Sequence, residues 1–143
     1  MKELERIFAL LAKDVSAAGV EWILAGGFAV NYYGYTRNTV DVDVVIAAAK
    51  LEPVRRIMTE AGFTNVVIQE NAAFFSRPEG PGRVDFLRVD EATMNRLLAR
   101  AVKTQLYGYE VRVAALKDLL AMKIFSLAQD SERRLGKDLP DIA

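Results

Sequence analysis

The chain contains no cysteine and no histidine. The first absence excludes disulfides, thiolate metal centres and thiol nucleophiles, and leaves no sign of an oxidising compartment. The second excludes His-dependent serine triads, HExxH zinc sites and imidazole acid–base catalysis. An excess of one charge is missing too. Lys plus Arg total 19 and Asp plus Glu total 19, so no global positive field draws in nucleic acid. No apolar run approaches the ~20 residues of a spanning helix, and the start Met1-Lys2-Glu3-Leu4-Glu5-Arg6 is charged, unlike an export signal. These features predict a cytoplasmic protein with no membrane partner. Catalysis, if any, falls to carboxylates, Lys, Arg, Tyr or hydroxyls. Carboxylates are hard oxygen ligands that suit magnesium or manganese rather than zinc.

The 143 residues are 52% apolar, which predicts one domain with a real core. Residues 3–18 read as an amphipathic helix with Leu4, Ile7, Phe8, Leu11 and Val15 on one face, ended by Gly19. Residues 21–25 form a short buried strand. Gly26-Gly27 follows, then a short helix over 28–33 closed by Gly34, and a polar loop over 35–40. Residues 40–46 alternate with period two, which defines a strand with Asp41 and Asp43 on one face and Val42, Val44 and Ile46 on the other. A helix over 50–61 tolerates Pro53 in its first turn and is closed by Gly62. Strands are predicted over 64–70, 73–77, 84–89 and 109–114, with a turn at 77–82 and a helix over 91–103 opened by Asp90 as N-cap. From 115 to 130 the pattern is helical. The expectation is an α+β fold: a mixed sheet core at about 1–114 flanked by helices, and a helical tail at about 115–143 within one domain. The abrupt ending predicts a compact protein or a shortened chain that lacks further helices.

Three features combine into a chemical pattern. Gly26-Gly27 joins a strand to a helix start, where bare backbone amides can meet a phosphate. For an isolated Gly-Gly, a plain tight strand-to-helix turn is the better explanation. Asp41 and Asp43 lie roughly 6.5 Å apart along one strand face, a spacing that can bracket two divalent ions. Asp is depleted in strands, so two in one strand flanked by valines point to chemistry more than to decoration. Asp85 is a lone acid in the apolar run Arg83-Val84-Asp85-Phe86-Leu87, and it completes a carboxylate triad if its strand lies beside 40–46. Lys123 falls within the stripe of Leu116, Leu119, Leu120 and Leu127, where a cation either lines a cleft or snorkels to the core edge. Arg96, Arg100 and Lys103 share a helix face that contacts either solvent or a phosphate backbone. Tyr32, Tyr33 and Tyr35 either pack round the short helix or stack on a base.

The ordered set Gly26-Gly27-Phe28-Ala29-Val30, Tyr33-Gly34 and Arg37-Asn38-Thr39-Val40-Asp41-Val42-Asp43 resembles the signature of minimal nucleotidyltransferases of the DNA polymerase beta superfamily. In pattern it is similar to the AbiEii-type proteins of toxin–antitoxin and phage-defence systems. Asp85 fits that family's third acid, and Lys123, Lys137-Asp138 and Asp141 resemble the segment that closes its nucleotide site.

The resemblance implies a nucleotidyltransferase fold and transfer of a nucleoside monophosphate from an NTP to an acceptor hydroxyl. It implies that Asp41, Asp43 and Asp85 hold magnesium (or manganese) and carry the catalysis. Gly26 and Gly27 would seat the triphosphate. Arg37 and Lys123 would offset its charge, Thr39 would bond a phosphate or steady the strand, and Lys137 and Asp138 would complete the nucleotide site. Several relatives have a Ser where Gly27 stands, so here that turn offers backbone alone. The acceptor stays open between tRNA, a protein and a small molecule, and the partner between a cognate toxin and an antitoxin. A second expectation is a catalytically weak module of the same fold that binds a partner protein or a nucleotide.

Overall fold

The computed structural model describes residues 2–25, 41–79 and 82–118. Among these residues seven strands form one mixed sheet in the order β3-β4-β5-β2-β1-β7-β6. They are β1 (Ile23–Ala25), β2 (Asp41–Ala47), β3 (Asn65–Ile68), β4 (Ala72–Ser76), β5 (Arg83–Val89), β6 (Val102–Leu106) and β7 (Tyr109–Val113). The central pair, β2 and β5, is parallel, as are β1 and β7. The pairs β1–β2, β3–β4, β4–β5 and β6–β7 are antiparallel. The α+β expectation with a mixed sheet is met.

The first helix, α1 (Lys2–Ala9), continues as a π-helical turn over Leu10–Val15. Its predicted apolar face is the buried one: Leu4, Ile7, Phe8, Leu11 and Val15 are all inaccessible. Gly19 ends it as foreseen. With φ at +81° it lets Val20 N–H reach Val15 O (3.3 Å) and Gly19 N–H reach Ser16 O (3.0 Å), and Val20 packs into the core beyond it. The helix α2 (Leu51–Glu60), preceded by a 3₁₀ turn over Ala48–Lys50, ends in the same way. Gly62 has φ +102°, Phe63 N–H bonds Met58 O at 3.0 Å, and both Phe63 and Met58 are buried. Such a stop needs a left-handed residue, which glycine supplies without a Cβ penalty.

The third helix, α3 (Glu91–Arg100), opens as read. Asp90 is extended (φ −70°, ψ 167°) and its Oδ1 accepts the Thr93 N–H at 2.7 Å. Its end differs from the expectation of 103. The backbone turns extended at Ala101, and Val102–Leu106 becomes an edge strand paired to β7. The two-residue turn Tyr107-Gly108 closes this hairpin with φ +52° and +83°, a turn twist that matches the strands it joins. Lys103 therefore lies on a strand and does not share a helix face with Arg96 and Arg100.

One core runs through the sheet and helices. Ile23, Leu24, Val42, Val44, Ile46, Val84 and Phe86 of the central strands meet the buried faces of the helices, including Val54, Met58, Met94 and Leu97. Phe75 and Phe86 pack edge to face with centroids 5.5 Å apart. At the start of the last described helical turn, 116–118, Leu116 is exposed and Asp118 is buried. That reverses the expected inward stripe at Leu116, because Asp118 is held inward by Arg100 Nη1 at 2.9 Å. Among the described residues no helix is long and apolar enough to cross a membrane.

Candidate active site

The period-two reading of β2 holds in space. Val42, Val44 and Ile46 are buried on one face, while Asp41 and Asp43 are partly accessible on the other. Strand β5 runs parallel to β2 with Asp43 opposite Asp85 and Asp41 opposite Arg83. On the other side of β2, Asp43 is opposite Ala25, the last residue of β1. Strand β1 thus ends beside the acids. The pairing brings Asp41, Asp43 and Asp85 onto one sheet face at the first residues of two adjacent strands. The other proposed contacts, Gly26, Gly27, Arg37, Thr39, Lys123, Lys137 and Asp138, lie outside the described residues, as do the Tyr32, Tyr33, Tyr35 and Asp141 readings.

Sequence reasoning missed Arg83. Its Nε donates to Asp85 Oδ1 at 2.7 Å and its Nη2 donates to Asp85 Oδ2 at 2.8 Å, a two-pronged charge-assisted pair. Nη2 also stands 4.0 Å from Asp41 Oδ2. The guanidinium lies over the Phe74 ring, 5.6 Å from its centroid, and Phe74 is the β4 neighbour of Asp85. The signal was present in the strand period, since residues two apart share a face.

Asp85 is the most enclosed of the three acids. Burial raises its pKa above the ordinary carboxylate value. The Arg83 bonds and charge pull it back in part, Asp41 pushes it further up, and a contact with Asp43 pulls down. Arg83 is raised in turn by its hydrogen bonds to Asp85. As the side chains stand, no three acidic groups among the described residues are disposed around a single ion. Arg83 takes both oxygens of Asp85. In kind the donors suit a hard divalent cation: they are carboxylates on one face, and a positive group has already been drawn to them.

The model of the family described as the nucleotidyl transferase AbiEii toxin of type IV toxin–antitoxin systems matches residues 9–143. The chain belongs to this family, and it is a nucleotidyltransferase.

Solved structures share the fold at low sequence identity. A candidate nucleotidyltransferase (TM1012) from Thermotoga maritima superposes with a TM-score of 0.67 at 14% identity, over 98% of this chain and 94% of the other. The lincosamide antibiotic adenylyltransferase LnuA, solved with lincomycin, gives a TM-score of 0.63 at 16% identity, over 84% and 83%. ANT(2″)-Ia, in complex with adenylyl-2″-tobramycin, gives 0.69 at 16% identity, over 90% and 78%. No curated protein matches the chain in sequence.

Proposed function

We propose that this domain transfers the nucleoside monophosphate of an NTP to an acceptor hydroxyl at the face formed by Asp41, Asp43 and Asp85. The observation that carries the reading is the parallel register of β2 and β5. It sets Asp43 and Asp85 side by side, although like charges directly opposite one another destabilise a sheet. A fold keeps such a pair where a cation makes use of it. Magnesium or manganese would be held by these three carboxylates and would supply charge stabilisation of the attacking and leaving oxygens.

The remaining work belongs to the chain's own groups. The acceptor oxygen bonds to the α-phosphorus, the bond to pyrophosphate breaks, and Asp85 takes the hydroxyl proton. Gly26 and Gly27, which follow the β1 residue opposite Asp43, seat the triphosphate through backbone amides. Arg37, Thr39, Lys123, Lys137 and Asp138 complete the nucleotide contacts in this reading. The acceptor is a hydroxyl of a tRNA, a protein or a small molecule. The family's description supports a toxin–antitoxin context, and the lack of cysteine supports a cytoplasmic setting for a single domain.

The test is calorimetric titration of each NTP, with and without magnesium, on the wild-type protein and on Asp41→Ala/Asp43→Ala. Magnesium-dependent binding that disappears in the double variant is the expected result. Well-folded wild-type protein that binds no NTP would instead favour a partner-binding module of the same fold.

A further inference from the structure

We propose that Arg83 is a built-in cation that occupies Asp85 when no divalent metal is bound, and that metal and Arg83 exchange on this carboxylate. The inference rests on the metal site of the proposed function and adds a control on its filling.

Asp85 lies on a central strand between Asp43 and Phe74, with only 12% of its side chain accessible. A carboxylate so placed needs a positive partner close by. Arg83 provides it from two residues away on the same strand face, and it engages both oxygens at once. A guanidinium fork bound across both oxygens covers the edge through which Asp85 would meet an ion shared with its neighbours. The two cations therefore compete for Asp85.

The partners differ in their freedom to leave. Asp85 is fixed in the sheet, whereas the Arg83 side chain is 49% accessible and is steadied on one side by the Phe74 ring. Arg83 can swing off without opening the core. A second anionic neighbour, Asp41, already stands 4.0 Å from Nη2. The phosphates of a nucleotide delivered to the same face would offer another. Exchange then has a direction: metal alone must displace Arg83 unaided, whereas metal arriving with a triphosphate brings the group that receives Arg83. The device makes metal binding depend on nucleotide.

The experiment is a manganese titration followed by the paramagnetic resonance signal of the free ion. It is run on wild type, Arg83→Gln and Arg83→Lys, with and without a non-hydrolysable NTP, and circular dichroism monitors the fold. Without nucleotide, Arg83→Gln should bind manganese about fivefold tighter than wild type, the scale of losing one partly exposed ion pair. Arg83→Lys, which keeps the charge but loses the fork, should fall between the two. The gain in manganese affinity conferred by nucleotide should be smaller in Arg83→Gln than in wild type.

A folded Arg83→Gln that binds manganese no tighter than wild type overturns the exchange. If Arg83→Gln does not fold, Arg83→Lys decides, and affinity equal to wild type overturns it. Asp41→Ala/Asp43→Ala in each background separates the two claims. Manganese binding that is equal in wild type and Arg83→Gln, yet lost with the two acids, sinks the exchange alone. No manganese binding in any folded variant sinks the metal site with it.

Discussion

Asp43 and Asp85 stand directly opposite one another on the parallel central strands, and the guanidinium of Arg83 closes over the Asp85 end of the pair. The arrangement costs stability, and its sign with pH follows from Asp85. Its folded pKa is raised, chiefly by burial, above the ordinary 3.8. The native state then binds that proton more tightly than the unfolded chain. Its contribution is full below the unfolded value and is lost as pH rises through the folded one. Asp85→Asn in the metal-free protein should therefore melt higher than wild type at pH 7, and the gap should narrow as pH falls through the raised folded pKa and be closed below 3.8. Thermal melts across that range check it, and a variant less stable than wild type at every pH would contradict it.

Asp90 shows the opposite sign. Its pKa is lowered by the hydrogen bond from the Thr93 backbone. The stabilisation is present above the unfolded value and is lost as pH falls through the folded one. Asp90→Ala should lower the melting temperature at pH 7, and the two proteins should converge at pH values well below 3.8. Asp90→Asn, which keeps an acceptor at the cap, should recover most of the loss.

Two helix-ending glycines should respond differently to alanine. Gly19 has φ +81° with open space around a Cβ, so Gly19→Ala meets only the left-handed backbone penalty, about 1 kcal/mol. At Gly62 the added Cβ would also stand 2.8 Å from Arg77 Nη1. That arm is tied down: it donates to Glu3 and to Ala61 O, and its guanidinium lies 4.3 Å from the Phe63 centroid. Gly62→Ala should cost roughly 1 kcal/mol more than Gly19→Ala by chemical denaturation. Equal costs would show that Arg77 moves aside freely.

Arg100 was a candidate phosphate contact by its helical spacing. In the structure it bonds buried Asp118, whose Oδ2 has no hydrogen-bond partner among the described residues. Arg100→Ala should strand this carboxylate and cost about 1–2 kcal/mol, less than a fully buried pair because Arg100 is itself half exposed. Asp118→Asn added to Arg100→Ala should restore part of the loss. A double-mutant cycle with no coupling would remove the pair from the account of how residues 116–118 are held.

How much was legible in advance depended on the range of the deciding interaction. The strand at 40–46 and the sidedness of Asp41 and Asp43 follow from a period of two, a local rule. The caps at Gly19, Gly62 and Asp90 are local as well. The run from Arg100 to Lys103 carries no strong stop signal, so its helical pattern extends too far on paper. What ends α3 is the partner strand β7, reached through a Tyr107-Gly108 turn that lacks the usual Asn or Asp. Leu116 looked like the start of an apolar stripe, yet its neighbour Asp118 is the one buried, because a distant Arg100 faces it.

By itself, then, the sequence determined most of the described elements, the apolar face of the first helix and the two acids of β2. Each of these depends on neighbours within a few positions, where sterics and hydrophobic period act alone. The ordered Gly-Gly to Asp-x-Asp run also carried the family. Only the tertiary structure decided that β5 lies parallel to β2 in the register that faces Asp85 with Asp43. It alone decided that Arg83 covers Asp85. Pairing between strands distant in sequence is selected by the burial of the whole sheet, and a shift of one residue would have turned the acids to opposite faces.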